Sequence, residues 1–279
     1  MSLETVAGGR GKRVKAFGLE TNYLEAGSGE PLLLLHGSGP GVSAWTNWRR
    51  VMPAFAEKFH VLAPDLAGFG YTERSDDFTY DIKNWGKHLL GFLDALELGP
   101  VHVVGNSFGG SLALAVAARF PERFKRICLM GTPCGKFAMT AGLRAGWDYE
   151  PGLENMKSVM MHFPYNPATV SDELVRERYE ASLIPGAQEG LRNLLAKPSD
   201  DGETILSGMP EAVVSQIGHP TLVLQGREDR VIPMEMALRL ATNMPRAELH
   251  LFPQCGHWVQ AERTKDFIDL AKRHFSQGA

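Results

Sequence analysis

The stretch Gly105-Asn106-Ser107-Phe108-Gly109 decides the fold of this 279-residue chain. It follows an apolar run at residues 101–104, which predicts a buried strand, and precedes a run of small residues at 111–118, which is typical of a helix. A serine between two glycines in this context is the pattern of a nucleophile elbow. The turn is so sharp that side chains two residues either side of the serine would collide. It lifts the hydroxyl out of the sheet, and the helix dipole favours negative charge beside it. Ser107 is therefore the predicted nucleophile.

A serine hydroxyl needs a base and an orienting acid, and candidates for both follow later strands. The predicted strand at residues 220–226 is followed by Asp229, and the one at 247–252 is followed by His257. Because parallel strands place their carboxyl ends at one edge of a sheet, both loops should leave the edge that carries Ser107. We predict His257 as the base and Asp229 as the acid.

Other residues compete for these roles. Glu228 is adjacent to Asp229, and Asp65 follows an earlier predicted strand. Cys255 is close to His257, but the elbow already supplies a nucleophile, so this cysteine is interpreted as a packing residue. Of the nine histidines, five lie inside predicted strands or helices and are interpreted as structural: His60, His88, His102, His250 and His274.

Acyl-transfer chemistry also needs two backbone N–H groups directed at the oxygen that becomes negative. One is expected from Phe108, the residue after the nucleophile. The other is expected from the glycine-rich loop after the predicted strand at residues 32–35, with Ser38 as the first choice and Gly39 as the alternative. A glycine-rich loop can also hold phosphate. The chain has no G-x-G-x-x-G and no P-loop lysine, so a nucleotide site is not predicted.

Composition limits the classes of function. Hydrophobic residues make up 44% and charged residues 22%, as in ordinary globular proteins, and the net charge of −3 gives no electrostatic case for nucleic acid binding. No apolar run is long enough to span a bilayer, and residues 1–11 lack the apolar core of a signal peptide. The cysteines, Cys128, Cys134 and Cys255, lack metal spacing. We expect a cytoplasmic protein without a membrane segment or a metal.

Strands and helices alternate on both sides of one interruption. Residues 1–131 and 218–279 are expected to form the two parts of an α/β core, with residues 132–217 inserted as a helical cap. The insertion is broken by prolines and holds five of the eleven methionines: Met139, Met156, Met160, Met161 and Met209. Methionine fills gaps in any core. An insertion here would also cover the edge that carries Ser107, and we favour a cap lined with adaptable apolar side chains.

One arginine of the insertion lies on the apolar face of its predicted helix. At about 100° per residue, residues 171–183 place Arg178 in the middle of an apolar stripe. The residues on this face are Leu174, Val175, Tyr179, Ala181, Ser182 and Leu183. A buried guanidinium needs an acceptor and suits bidentate binding of a carboxylate. Arg178 either forms an ion pair between cap and core or binds an anionic substrate, and the pattern favours neither.

Together these segments resemble the meta-cleavage product hydrolases, a group of α/β-hydrolases. The similarity extends from about residue 23 to the C-terminus and includes His36-Gly-Ser-Gly-Pro-Gly41, Trp45-Thr-Asn47, Asp65-Leu-Ala-Gly-Phe-Gly-Tyr-Thr-Glu-Arg74, Gly105-Asn-Ser-Phe-Gly-Gly110, Arg178-Tyr-Glu-Ala-Ser182, Gly226-Arg-Glu-Asp229 and Cys255-Gly-His-Trp258. The resemblance implies an α/β-hydrolase fold: a mostly parallel eight-stranded sheet flanked by helices, with a helical cap inserted after the sixth strand.

Enzymes of this group cleave a carbon–carbon bond in 2-hydroxy-6-oxohexa-2,4-dienoates during aromatic degradation. The resemblance implies that Arg178 holds the substrate carboxylate and that Asn47, Asn106 and Trp258 line the polar end of the site. Protonation at C5 must come first, because the departing fragment would otherwise be an unstabilised carbanion. The products would be 2-hydroxypenta-2,4-dienoate and a carboxylic acid. No cofactor is implied, and the family expectation is a homo-oligomer, dimeric or larger.

The group at C6 of the substrate is left open by the sequence. Val231 and Trp147 are expected near it, because family members differ at the position of Val231, and Trp147 could refill the room that a valine leaves. Many relatives have glycine at Ser38 and methionine or leucine at Phe108. The alternative functions are a carboxylesterase on the same fold and a small-molecule receptor with an intact triad. Arg178 argues against an enzyme for neutral esters.

Overall fold

The computed structural model describes residues 10–187, 192 and 204–277. The described strands, in chain order, are β1 (Lys12–Ala16), β2 (Leu19–Ala26), β3 (Glu30–Leu35), β4 (Phe59–Pro64), β5 (Val101–Asn106), β6 (Phe124–Met130), β7 (Lys136–Ala138), β8 (Ile205–Ser207), β9 (Thr221–Gly226) and β10 (Ala247–Phe252). Eight of them form one sheet in the order β1-β2-β4-β3-β5-β6-β9-β10. Strand β2 is antiparallel to β1 and β4, and the other pairs are parallel. The predicted fold is confirmed.

Helices cover both faces of this sheet. The described helices, in chain order, are α1 (Ala44–Trp48), α2 (Met52–Ala56), α3 (Ile82–Ala95), α4 (Phe108–Arg119), α5 (Ala141–Trp147), α6 (Leu153–Met160), α7 (Asp172–Ser182), α8 (Glu211–Val214), α9 (Met234–Asn243), α10 (Val259–Glu262) and α11 (Thr264–Phe275). Helices α3, α4 and α9 bury apolar residues on one face, and α1, α2 and α11 do so on the other. Because both faces are covered, strands such as β5 are buried along their whole length. None of the described helices is long and apolar enough to cross a membrane.

One predicted helix is wrong in its extent. The pattern predicted a single helix near residues 45–57, but the structure has two, α1 and α2. Ser43 caps α1, since its hydroxyl accepts the N–H of Thr46 at 3.2 Å. Pro53 stands in the first turn of α2, where its missing N–H costs nothing. A continuous helix would need that N–H, so the proline separates the two.

The segment expected to be a cap contains both helices and strands. Helices α5, α6 and α7 lie in it, and β7 pairs with β8 in a small antiparallel sheet that the pattern did not predict. Residues 188–191 and 193–203, which include Pro198, lie outside the described residues. Helices α6 and α7 share an apolar cluster with Val231, Ile232 and Trp258 of the core. The insertion is therefore anchored on the loops that follow β9 and β10.

Candidate active site

Ser107 lies in the sharp turn between β5 and α4. Its φ of 53° and ψ of −114° are rare for a residue with a side chain, and its N–H donates to the carbonyl oxygen of Met130 at 2.7 Å. A Cβ on Gly105 would lie 2.5 Å from the Cα of Gly110, and one on Gly109 would lie 2.3 Å from a backbone oxygen of β3. Both glycines are thus required by backbone contacts, and the turn holds the serine at the carboxyl end of the sheet.

His257 and Asp229 form a buried pair. Nδ1 of His257 lies 2.7 Å from Oδ2 of Asp229, with the side chains 3% and 1% exposed. Oδ1 of Asp229 accepts the N–H groups of Val231 and Ile232 at 2.8 and 2.9 Å, so the carboxylate is fixed in orientation. An Nδ1–H donated to Asp229 leaves Nε2 of the imidazole free to accept a proton. Ser107 and His257 line the same cavity.

The competing side chains have other partners. Glu228 accepts from Arg227 and from the N–H of Cys255. Asp65 is fully buried and accepts the N–H groups of Ala44 and Tyr71 at 2.7 and 2.8 Å. Burial raises the pKa of Asp65 to about 6. None of these bonds involves His257. Burial also raises the pKa of Cys255 to about 12, so its thiol stays protonated at neutral pH.

The glycine-rich loop after β3 places Ser38 and Gly39 in the cavity with Ser107. His36 holds the start of this loop: Nδ1 donates to the carbonyl oxygen of Gly37 at 2.6 Å, and Nε2 accepts the N–H of Leu66 at 2.9 Å. Burial lowers the pKa of His36 to about 4, so the ring is neutral and both bonds are satisfied by one tautomer. The loop geometry is therefore insensitive to pH near neutrality.

Phe108 begins α4, where backbone N–H groups have no acceptor within the helix. Its ring is buried and packs edge-on against Trp85, with centroids 4.7 Å apart. Phe108, Ser38 and Ser107 line a second, larger cavity of about 590 Å³. The three predicted donors of the oxyanion hole therefore all lie beside the serine.

This larger cavity is mainly apolar. Its apolar lining comes from both the core and the insertion: Trp85, Phe108, Phe137, Leu143, Ile205, Leu206, Met209 and Ile232. No lysine or arginine stands among its described lining residues, and Asp81 is the charged residue there. Of the methionines, Met209 reaches the cavity, whereas Met156 and Met160 are fully buried inside the insertion and act as gap fillers.

The two residues expected near C6 of the substrate differ in position. Val231 is 1% exposed and lines the smaller cavity with Ser107 and His257. Helix α5 contributes Gly142, Leu143 and Gly146 to that cavity. Trp147 ends the same helix, is half-buried and lines neither cavity. The side of α5 that faces the serine therefore consists of two glycines and one leucine.

Arg178 is a buried cation without a carboxylate partner among the described ion pairs. It is 4% exposed, and its Nε and Nη2 donate to the carbonyl oxygen of Pro40 at 2.9 and 2.7 Å. The guanidinium carbon lies 6.0 Å from the ring centroids of both Phe163 and Trp258. Burial lowers its pKa to about 10, which still leaves it charged at neutral pH. Leu183, expected on the same face, is 52% exposed because the helix has ended at Ser182.

Polar groups without partners surround this guanidinium. Asn47, Trp258 and Gln260 line a small pocket with Arg178. Nδ2 of Asn47 and Oε1 of Gln260 are buried and have no hydrogen-bond partner in the described structure. Buried polar atoms are costly when unpaired, so this pocket is built for a polar ligand. Asn106 lies apart from it: its Nδ2 donates to the carbonyl oxygen of Met130 at 3.4 Å, on the nucleophile side.

Two residues of the site were missed by the sequence analysis. Gln260 lies three residues after His257, and only that spacing could have indicated it. Phe163 stacks on Trp258, with centroids 5.3 Å apart and an interplanar angle of 22°, and its centroid lies 5.7 Å from that of the His257 ring. Nothing in the local sequence marks Phe163, since its role arises from tertiary contact.

Comparisons with known proteins agree with this geometry. Residues 32–270 match the alpha/beta hydrolase family. A 2-hydroxy-6-oxo-2,4-heptadienoate hydrolase from Pseudomonas putida (strain F1) is 48% identical over 260 residues, which cover 93% of this chain and 94% of the relative. A 2-hydroxymuconate semialdehyde hydrolase from Pseudomonas sp. (strain CF600) is 45% identical, with 93% and 92% covered.

Solved structures give the same result. A mutant meta-cleavage product hydrolase from Pseudomonas fluorescens IP01, complexed with acetates, has a TM-score of 0.89 and 41% identity, covering 97% of this chain and 99% of that one. The 2-hydroxy-6-oxo-6-phenylhexa-2,4-dienoate hydrolase from Rhodococcus sp. strain RHA1 has a TM-score of 0.86 and 31% identity, covering 95% and 97%. Within the alpha/beta hydrolase family, this chain belongs to the meta-cleavage product hydrolases.

Proposed function

We propose that this protein hydrolyses the C5–C6 bond of a 2-hydroxy-6-oxohexa-2,4-dienoate to 2-hydroxypenta-2,4-dienoate and a carboxylic acid. The observation that carries the proposal is a buried guanidinium, Arg178, that has no ion-pair partner among the described residues and lies against the loop beside the serine. A Cβ on Gly39, which lines the Ser107 cavity, would be 3.0 Å from Nη2 of Arg178. A dienoate needs both features, because its C1 carboxylate requires a cation and its C6 ketone requires a nucleophile.

The polar pocket is proposed to bind the carboxylate end of the substrate. Arg178 would pair with the C1 carboxylate, and the unpaired Nδ2 of Asn47 would donate a further hydrogen bond to it. The unpaired Oε1 of Gln260 is an acceptor and would take a hydrogen bond from the adjacent 2-hydroxyl group. Holding this end in place allows the dienol to be protonated at C5, which converts it to the keto form. The later departure of the C5 fragment then leaves electrons in a conjugated dienolate rather than on an isolated carbon.

The serine side of the site is proposed to carry out the cleavage. His257, oriented by Asp229, takes the proton of Ser107 as the serine oxygen attacks C6. The N–H groups of Phe108 and of Ser38, or of Gly39 in its place, stabilise the oxyanion. The C5–C6 bond then breaks and leaves an acyl group on the serine, which water hydrolyses to the carboxylic acid.

The substituent at C6 is proposed to occupy the apolar cavity and to be uncharged. The cavity of about 590 Å³ is large enough for an alkyl or a phenyl group. A carboxylate at the end of the C6 chain would meet Asp81 and no cation among the described lining residues. Substrates with a second carboxylate are therefore expected to be poor.

The experiment that tests the function is a panel of coloured dienoates that differ only at C6, with a neutral p-nitrophenyl ester as comparison. We expect kcat/KM for at least one dienoate to exceed that for the ester by orders of magnitude. Faster turnover of the ester would instead favour the carboxylesterase. Slow turnover of every substrate, with a ligand-dependent change in the fluorescence of Trp258, would favour a receptor.

The remaining expectations about the whole protein are also proposals. Residues 132–217 would act as a cap, which is supported by the residues of α5 in the Ser107 cavity. A cytoplasmic location is supported by three free, buried cysteines. A homo-oligomer, dimeric or larger, follows from the resemblance. Light scattering of the purified protein tests the last point, and a monomer at micromolar concentration would contradict it.

A further inference from the structure

Glu262 is a half-buried carboxylate with no cationic partner among the ion pairs of residues 10–187 and 204–277. It is the last residue of α10, five positions after His257. Neighbouring arginines have other acceptors: Arg263 donates to the carbonyl oxygens of Pro253 and Gln254, and Arg230 donates to that of Pro164. The charge of Glu262 must therefore be balanced by something other than a cation.

Backbone N–H groups from two segments supply that balance. Oε1 of Glu262 accepts the N–H of Gly256 at 2.9 Å. Oε2 accepts the N–H groups of Tyr165 and Asn166 at 2.7 and 3.3 Å. Gly256 precedes His257 in the loop after β10, whereas Tyr165 and Asn166 belong to the insertion. One carboxylate thus joins the histidine loop to the segment that follows α6.

These two segments are in direct contact, and some of their backbone N–H groups find no acceptor in either segment. The N–H of His257 donates to the carbonyl oxygen of Phe163 at 2.7 Å. A Cβ on Gly256 would lie 2.4 Å from that same oxygen, so the glycine is required for the approach. Pro164 and Pro167 flank the segment and prevent regular backbone pairing. Glu262 satisfies N–H groups that would otherwise be left without a partner.

The contact that Glu262 fixes lies between the two halves of the proposed site. Phe163, two residues before Tyr165, stacks on Trp258 and packs against the ring of His257. The guanidinium of Arg178 lies 6.0 Å from the centroids of the same two rings, Phe163 and Trp258. A shift of the insertion relative to the histidine loop would therefore move the base and the carboxylate-binding cation relative to each other.

We propose that Glu262 is a positioning residue for the reaction, which acts through His257 and through the Phe163–Trp258 stack. This inference rests on the proposed function only for the identity of the base. Glu262→Gln keeps the size of the side chain but replaces one acceptor oxygen with an NH₂ group. At least one of the N–H groups then loses its acceptor and meets another donor, so the two segments separate. A misplacement on the order of 1 Å is enough to cost about 100-fold in rate.

The test compares Glu262→Gln with Glu228→Gln as a matched control. Glu228 accepts one N–H from the same loop, that of Cys255 at 3.2 Å, but its described hydrogen bonds do not reach the insertion. The first readout is the rate at which a p-nitrophenyl alkylphosphonate modifies Ser107, followed as released p-nitrophenol. This reaction needs the serine and its base but no dienoate, so it remains informative even if the dienoate assignment fails. The second readout is kcat and KM for a 6-methyl dienoate, measured well below Tm.

We expect Glu262→Gln to lower the phosphonylation rate and kcat together, by about 10- to 100-fold, and Glu228→Gln to change each by less than about twofold. Glu262→Asp, which keeps the charge on a shorter side chain, should recover part of the loss. A lower Tm for Glu262→Gln with an unchanged phosphonylation rate would overturn the proposal, as would equal losses in the two glutamine variants. If Glu262→Gln does not fold, Glu262→Asp decides, and a wild-type phosphonylation rate in that variant overturns the proposal.

Discussion

Arg178 donates two hydrogen bonds to a single acceptor, the carbonyl oxygen of Pro40, at 2.9 Å from Nε and 2.7 Å from Nη2. This arrangement connects a helix of the insertion to the loop that carries Ser38, one of the candidate oxyanion donors. A carbonyl oxygen does not neutralise the cation, which is 4% exposed. The two hydrogen bonds offset part of the cost of burying this charge, and an anion bound beside it would offset more, which is why we propose Arg178 as the binding residue for the substrate carboxylate.

The first prediction concerns the nucleophile. Ser107→Ala should lower turnover of a dienoate by about three to six orders of magnitude, because the acyl-enzyme can no longer form. Substrate binding should persist, because Arg178 and its pocket are untouched. Single-turnover absorbance measurements with the coloured substrate report both quantities. Cleavage near the wild-type rate would rule out Ser107 as the nucleophile.

The second prediction concerns the anion site. Arg178→Gln should weaken transition-state binding of a dienoate by about 1.5–3 kcal/mol or more, because a charge-assisted bond to the carboxylate is lost. A small neutral ester that reaches Ser107 should be hydrolysed almost as fast as by the wild type. The measurement is kcat/KM for both substrates. Arg176→Gln, which removes an exposed arginine from the same helix, is the control.

Two possible outcomes for Arg178→Gln distinguish a role in substrate binding from a role in the structure. A loss confined to the dienoate supports the anion site. If Arg178→Gln slows both substrates equally and lowers Tm, the bond to Pro40 accounts for the residue and the carboxylate must bind elsewhere.

Local patterns predicted much of the fold and the proximity of the candidate triad residues. The strand–turn–helix context identified the turn at Ser107, and the order of Asp229 and His257 after two strands identified the pair that the structure joins at 2.7 Å. Arg178 was found because an arginine in an apolar stripe conflicts with helical periodicity. In each case the signal lies within a short segment of sequence.

What the sequence did not predict depends on contacts between distant segments. Strands β7 and β8 pair although more than sixty residues separate them, and each is only three residues long. Phe163 and Glu262 lie at the contact of the insertion with the histidine loop, which no local pattern encodes. The break between α1 and α2 is different, because Pro53 is itself a local signal for it.

The third prediction concerns Gln260. Gln260→Leu should raise KM for a dienoate, because the unpaired amide oxygen in the Arg178 pocket is replaced by an apolar group that cannot accept a hydrogen bond from the 2-hydroxyl group. We expect a loss of about 1 kcal/mol in binding, the usual size for one neutral hydrogen bond. Steady-state kinetics measure it, with Gln216→Leu, a change at an exposed glutamine near the end of the insertion, as control. A KM equal to that of the wild type would show that the amide does not contact the substrate.

The fourth prediction concerns stability in acid. Burial lowers the pKa of His88 from 6.5 to about 4, while its Nε2 bonds to Oγ1 of Thr21 at 2.8 Å. The unfolded chain thus takes up a proton that the folded protein excludes. The resulting stabilisation of the folded state is fully present above pH 6.5 and is lost as the pH falls from 6.5 towards 4. Over that range, protonation linked to His88 should lower the free energy of unfolding by up to about 3 kcal/mol.

Urea unfolding at a series of pH values tests this effect. The curve for His88→Gln should fall less steeply with decreasing pH than the wild-type curve. Two other buried histidines, His36 and His274, act in the same direction, since burial lowers the pKa of each to about 4. Asp65 acts in the opposite direction, because burial raises its pKa to about 6 and the folded protein gains stability as that carboxyl is protonated. Parallel curves for wild type and variant would show that His88 keeps its ordinary pKa when folded.

The last prediction concerns the size of the C6 group. Val231 lines the cavity with Ser107 and His257, and its Cγ2 would lie 2.9 Å from a Cβ placed on Gly142. This side chain therefore already fills the space up to α5. A phenylalanine ring would have to extend through the smaller cavity towards the larger one, which shares Ser107 and Leu143 with it. Val231→Phe should depress cleavage of a 6-phenyl dienoate more than that of the 6-methyl compound, with overpacking costing about 1–3 kcal/mol. The readout is the ratio of the two kcat/KM values. Val213→Phe, which enlarges a half-buried valine of α8 outside both cavities, is the control and should leave the ratio unchanged. An equal ratio in Val231→Phe and the wild type would show that a C6 group in the larger cavity beside Phe108 does not reach Val231.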